Sequence, residues 1–176
     1  MFSLVCHPQT PAKAVRAVAV NWSLLSDGRF MLRWQVDGAQ GLVVPPFAGK
    51  GRADGLWQTT CFELFLKAPG TAYREYNFSP SQRWAAYGFA DYRQEMAEQP
   101  LADVPVITHA MGERLFTCTV MLAGNMLDDA LCAGLCAVIE EKGGHKSYWA
   151  LAHAPGQPDF HAASCFTAAI GAAQSL

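Results

Sequence analysis

Hydrophobic and polar positions alternate along most of this chain, and the alternation has the two-residue period of β-strands. From Val15 to Leu25 the sequence reads VRAVAVNWSLL, and from Phe30 it reads FMLRWQVDG, with Ser26-Asp27-Gly28-Arg29 between them. Two runs rich in β-branched and aromatic residues around an Asp-Gly pair predict a hairpin. Within the second run Phe30, Leu32, Trp34 and Val36 alternate with Met31, Arg33 and Gln35, so the first set is expected to face the core.

The short apolar piece Leu42 to Pro45 leads into PPFAGKGRADG, which has no periodicity and reads as a surface loop. Three further runs, Cys61 to Lys67, Tyr73 to Ser79 and Arg83 to Ala90, are joined by the turn-like APGT and PSQ and predict an antiparallel meander. Asp91 to Glu98 reads as one helical turn. Val104 to Ala110 and Leu115 to Leu122 predict another hairpin around MGER.

From Asn125 to Lys142 two local rules compete. Leu127, Leu131, Leu135 and Val138 have helical spacing, whereas Leu135 to Glu141 and Lys146 to Ala152 flank Gly143-Gly144 as hairpin strands would. The reading adopted is a short helical turn near residues 126 to 131 and a strand from about 135 to 141. A last strand is expected from about Ser164 to Ile170. The sum is an all-β fold, about nine or ten strands with at most short helices, in a single domain over residues 1–176.

Composition agrees with an ordered, turn-rich domain. Hydrophobic residues make up 51% of the 176 positions, charged residues 16%, and glycine and proline number 15 and 10. Thirteen basic residues stand against 15 acidic ones, with no Lys/Arg stripe for phosphate contacts, so nucleic acid is not the expected partner. The opening MFSLVCHPQTPAKAV lacks a secretory pattern, and no stretch reaches the roughly 18 to 20 apolar residues of a membrane span. A cytoplasmic protein with reduced cysteines is the expectation, since Cys61, Cys118 and Cys165 each sit in an apolar run.

Chemical signatures are sparse. The chain contains no GxGxxG, P-loop, HExxH, GxSxG or CxxC motif, and no enzyme is expected. His145, His153, His161 and Asp159 cluster in sequence but match no metal template, so no metal site is predicted.

The central meander carries more. Glu63 falls among apolar neighbours, where an ionised carboxylate costs several kcal/mol as an order of magnitude unless paired. Pairing of adjacent strands would place Glu63, Glu75 and Asn77 on one face with Arg83 or Trp84. Carboxylates and an amide beside an indole suit a polyhydroxylated ligand. A Glu-Arg network that only orders the sheet is the alternative.

The segments LWQTTCFELFL, YREYNFSPSQRWAAYGFADYR and SYWALAHAPGQPDFHAASCF resemble the DOMON-like family related to type 9 carbohydrate-binding modules, in its bacterial stand-alone form. That resemblance implies an antiparallel β-sandwich of jelly-roll type that binds a small ligand without catalysis. Sugars and haem are the two ligand classes it brings.

In the sugar-binding branch a tryptophan before a strand and a glutamate six positions later line the site, which corresponds to Trp57 and Glu63. A second tryptophan near the C-terminus would complete a sandwich around the sugar, with Trp149 the candidate. The candidate set is therefore Trp57, Glu63, Glu75, Asn77, Arg83, Trp84, Trp149 and His153. A haem-binding alternative would use a methionine and a histidine among Met96, Met111, His109 and His153. A protein-interaction module without a small ligand, and an enzyme acting through His153, Asp159 and His161, complete the alternatives.

Overall fold

In the computed structural model, which describes residues 1–172 and 174–175, the chain forms one curled, mixed β-sheet. The strands are β1 (Phe2–Cys6), β2 (Ala17–Leu24), β3 (Arg29–Asp37), β4 (Gly51–Arg52), β5 (Cys61–Lys67), β6 (Tyr73–Phe78), β7 (Arg83–Phe89) and β8 (Ala97–Glu98). They continue with β9 (Val106–Met111), β10 (Leu115–Ala123), β11 (Cys132–Glu141), β12 (His145–Ala150), β13 (Ala168–Ala169) and β14 (Gln174–Ser175). Helical structure among the described residues is limited to short 3-10 turns.

The strand order is β4-β7-β6-β5-β11-β12-β1-β2-β3-β10-β9, with β8 on β7, β13 on β11 and β14 on β2. Strand β1 is the joint. Its residues Phe2, Ser3 and Leu4 pair with β2, whereas Val5 and Cys6 pair with β12, so two half-sheets become one continuous surface. Where a jelly-roll of two antiparallel sheets is expected, the two half-sheets are joined through β1, and β4 on β7 and β14 on β2 run parallel. The strands beyond the expected ten are β1 and the two-residue pieces β4, β8 and β14, the latter too short to leave an alternation in the sequence.

The two halves of the sheet enclose a core. Phe30, Leu32, Trp34 and Val36 of β3 are fully buried, as the alternation predicts, and meet the opposite half through Phe62, Leu64, Leu66, Tyr76 and Phe78. Aromatic rings link them. Trp34 lies 5.4 Å from Phe62, and Phe62 stacks on Phe116 at 6.1 Å.

A second buried cluster sits on the other face of the β5-β6-β7-β11-β12 half. Here Phe65, Tyr73, Phe89, Cys136 and Val138 are covered by the segment after β12 through Phe160, Cys165 and Phe166. Gly134 makes room for that cover, because a Cβ there would stand 2.8 Å from Cδ1 of Phe166. Those strands are therefore buried on both faces, and β5 is buried from Cys61 to Leu66.

Between residues 125 and 142 the split reading holds. A 3-10 turn spans Gly124–Leu127 and β11 begins at Cys132, earlier than expected. The expected helical turn at Asp91 to Glu98 is instead an irregular loop with positive φ at Arg93 (53°) and Glu95 (51°), closing into β8. The expected strand from Ser164 to Ile170 reduces to β13, preceded by a 3-10 turn at Ala163–Cys165. All six cysteines are free thiols. No helix among the described residues is long and apolar enough to cross a membrane.

Candidate functional site

The outer face of the second half-sheet floors a cleft of 1340 Å³. Glu63 of β5, Glu75 of β6 and Tyr87 and Phe89 of β7 rise from the sheet, with Val138 of β11 and Tyr148 of β12 beside them. Register explains the grouping. Glu63 pairs with Asn77 and Cys136, Glu75 with Tyr87, and Val138 with Tyr148, so all share one side of the pleat. Three segments complete the walls, namely the turn carrying Trp57, the loop carrying Arg93 and Met96, and the stretch carrying Pro158, Phe160 and His161.

Trp57 does not open a strand. It lies in a 3-10 turn, Leu56–Gln58, that follows Gly55 in the left-handed conformation (φ 70°). The turn lifts the indole to the rim, where it remains 52% exposed.

Glu63 occupies the floor and is 3% exposed. Its carboxyl accepts no hydrogen bond and meets no cation within salt-bridge distance among the described residues. The partner that its burial requires is not supplied by the protein. Burial, followed by the nearby Glu75 carboxyl, pushes its pKa well above the carboxylate range.

Glu75 is better served. Nδ2 of Asn77 donates to its Oε1 at 2.7 Å, and Nε2 of His161 lies 3.7 Å from its Oε2. Burial still raises its pKa, against the opposing pull of the Asn77 hydrogen bond and the charge of Arg93. The Oδ1 of Asn77 is buried without a partner.

His161 stands in an aromatic box, 5.2 to 5.8 Å from the rings of Phe89, Phe65 and Tyr73. Burial lowers its pKa to about 4, so it is neutral near pH 7. The Tyr73 hydroxyl accepts the Arg93 backbone N–H at 3.0 Å and lies 2.8 Å from Nδ1 of His161. Donation from Tyr73 to Nδ1 leaves the proton on Nε2, which faces Glu75.

Ion pairs hold both rims. Arg52 bridges Asp54 (2.9 Å) and Glu98 (3.1 Å) while lying 5.3 Å from the centre of the Tyr87 ring, whose hydroxyl donates to Asp54 at 2.5 Å. Across the cleft Arg93 pairs with Asp159 at 2.8 Å, and Tyr92 donates to the same carboxylate at 2.6 Å. Both guanidinium groups of the cleft are thus already paired.

Of the eight candidates, the structure brings Trp57, Glu63 and Glu75 together on the cleft, with Asn77 supporting Glu75. The other four lie elsewhere. Arg83 is on the same side of the pleat but turns to the loop before β4, donating from Nε to the Ala48 carbonyl at 2.8 Å. Trp84 points to the opposite face and packs on the inner core.

Trp149 also faces the inner core, 5% exposed, with Nε1 donating to Ser147 at 2.9 Å, so it cannot stand across a ligand from Trp57. Its neighbour Tyr148 takes the cleft side. His153 lies beyond the cleft lining, within 2.8 Å of the Val5 carbonyl and edge-on to His7 at 4.8 Å.

Of the haem candidates, Met96 lines the cleft, whereas His109 and Met111 belong to β9 in the other half-sheet. His153, Asp159 and His161 do not form one constellation, because Asp159 is committed to Tyr92, Arg93 and the His161 backbone N–H. No group of three or more potential metal ligands occurs among the described residues. Sequence reasoning passed over Tyr87 and Tyr148 as site residues, although their alternation with Trp84 and Trp149 carried the signal. It also passed over Arg52, in the two-residue strand β4, and Arg93, in a loop, where no periodicity marks them.

No family model matches the chain, and no curated protein is similar to it in sequence. Among solved structures it is similar in fold to a putative carbohydrate-binding protein from Bacteroides uniformis ATCC 8492. The TM-score is 0.55 at 13% sequence identity, over 94% of this chain and 82% of that one.

Proposed function

We propose that residues 1–176 form a single non-catalytic domain that binds a carbohydrate or sugar-like ligand in the cleft between Trp57 and Glu63. The observation that carries this reading is Glu63, a carboxyl 3% exposed that faces a cleft with no partner of its own. Such a group without a partner in the protein is costly to bury, and its oxygens open onto the cleft. A ligand hydroxyl supplies the missing hydrogen bond, while Asn77 holds Glu75 from beneath the floor.

The exposed Trp57 indole provides an apolar face for the C–H side of a sugar ring, and Tyr148 and Phe160 offer further aromatic surface. The fold likeness to the Bacteroides uniformis protein, and the resemblance to DOMON-like and type 9 carbohydrate-binding domains, support the ligand class. Calorimetric titration with a panel of mono- and disaccharides tests it. Saturable binding that weakens at least tenfold in Trp57→Ala is expected, and a panel without binding removes the reading.

A further inference from the structure

The cleft has an excess of acid. Asp54, Glu63, Glu75 and Glu98 line it against Arg52 and Arg93 alone. Arg52 is spent on Asp54 and Glu98, and Arg93 on Asp159, all at the rims. The two carboxyls on the floor are left facing each other diagonally across β5 and β6, at the spacing where neighbouring side chains meet. The one basic group beside them, His161, is boxed by aromatic rings.

We propose that this floor receives a protonated amine, so that the ligand is an amino sugar and not a neutral one; this rests on the sugar-binding reading above. The ammonium supplies what neither strand does, a cation with several N–H donors that satisfies Glu63 and Glu75 together. The aromatic walls favour the same occupant, since the faces of Trp57 and Tyr148 attract cations as well as C–H surfaces.

Proton balance follows from the groups that face Glu63. The buried thiols of Cys61 on β5 and Cys136 on β11 are held protonated, as is the Tyr87 phenol on β7. His161 is neutral and Arg93 stays charged and paired. The groups free to change state are therefore Glu63 and Glu75, and any proton they hold leaves to the solvent when an ammonium arrives.

The test is calorimetry at pH 7 with glucose, glucosamine and N-acetylglucosamine, each in two buffers of different ionisation enthalpy. Glucosamine is expected to bind at least tenfold more tightly than the other two and to release up to one proton. In Glu63→Gln, checked for folding by circular dichroism, the preference falls towards one and the proton release disappears. If glucose or N-acetylglucosamine binds within tenfold of glucosamine, the amine inference is overturned while sugar binding stands. If none of the three binds, both fall.

Discussion

The two faces of the β5-β6-β7-β11-β12 half-sheet come from the same strands and are buried to a similar depth, yet their chemistry differs. The inner face is mainly apolar, with Phe62, Leu64, Leu66, Tyr76, Phe78, Leu135 and Ile139 packed against the opposite half. The outer face alternates Phe65, Tyr73 and Phe89 with Glu63, Glu75 and Asn77. An apolar residue at position 63 would serve packing at no electrostatic cost, as the inner face demonstrates. Carboxyls on the outer face therefore weaken the fold, a cost that fits the ligand-binding role proposed for the cleft.

The largest effect expected is on the inner face. Trp34→Ala should cost about 3–5 kcal/mol in denaturant unfolding, because the indole is fully buried between Phe62 and Phe78. A loss below about 1 kcal/mol would show that the inner core is not packed as described. On the outer face Gly134→Ala drives a methyl against Phe166 and should cost about 1–3 kcal/mol by overpacking. An unchanged melting temperature would mean that the C-terminal cover does not sit on β11.

Glu63→Leu has the opposite sign. Replacing an unpartnered buried carboxyl by an apolar side chain of similar volume should stabilise the protein by about 1–3 kcal/mol near neutral pH. The pH dependence sharpens this. A carboxyl whose folded pKa is raised above its unfolded value of about 4.3 binds more protons when folded, so its stabilising contribution is present at low pH and is lost as pH rises through the raised value. The advantage of Glu63→Leu over the parent should grow as pH rises above about 4.3 and stay level at its smaller value below it. An advantage that shrinks with pH would mean Glu63 is paired after all.

The smallest change in stability is expected at the rim. Trp57→Ala should move unfolding by less than about 0.5 kcal/mol, since the side chain is half exposed. A larger loss would place Trp57 in the fold and not at the ligand.

Legibility in the sequence followed the alternation. Strand β3 could be read residue by residue because Phe30, Leu32, Trp34 and Val36 alternate cleanly and an Asp-Gly turn fixes the start. Strand β1 could not, because FSLVC is brief and splits its pairing between β2 and β12. The helical turn expected at Asp91 to Glu98 failed on backbone conformation, with Arg93 and Glu95 both at positive φ.

At the site, Glu63, Glu75 and Asn77 were legible because neighbouring strands align their polar positions. Trp149 as the second tryptophan rests on order along the chain alone. In Ser147-Tyr148-Trp149-Ala150 a single step of the pleat exchanges the two faces, and it is Tyr148 that reaches the cleft. Arg52 arrives on the two-residue strand β4, and Arg93 and His161 on loops, whose course no periodicity records.

The contrast between the faces can be read directly in a two-dimensional nitrogen–proton NMR spectrum, where the five tryptophans give five indole N–H signals. With a saturating sugar from the panel, the signal of Trp57 should shift while those of Trp22, Trp34, Trp84 and Trp149, which belong to the inner face, stay in place. A spectrum in which Trp149 or Trp84 moves and Trp57 does not would contradict the account.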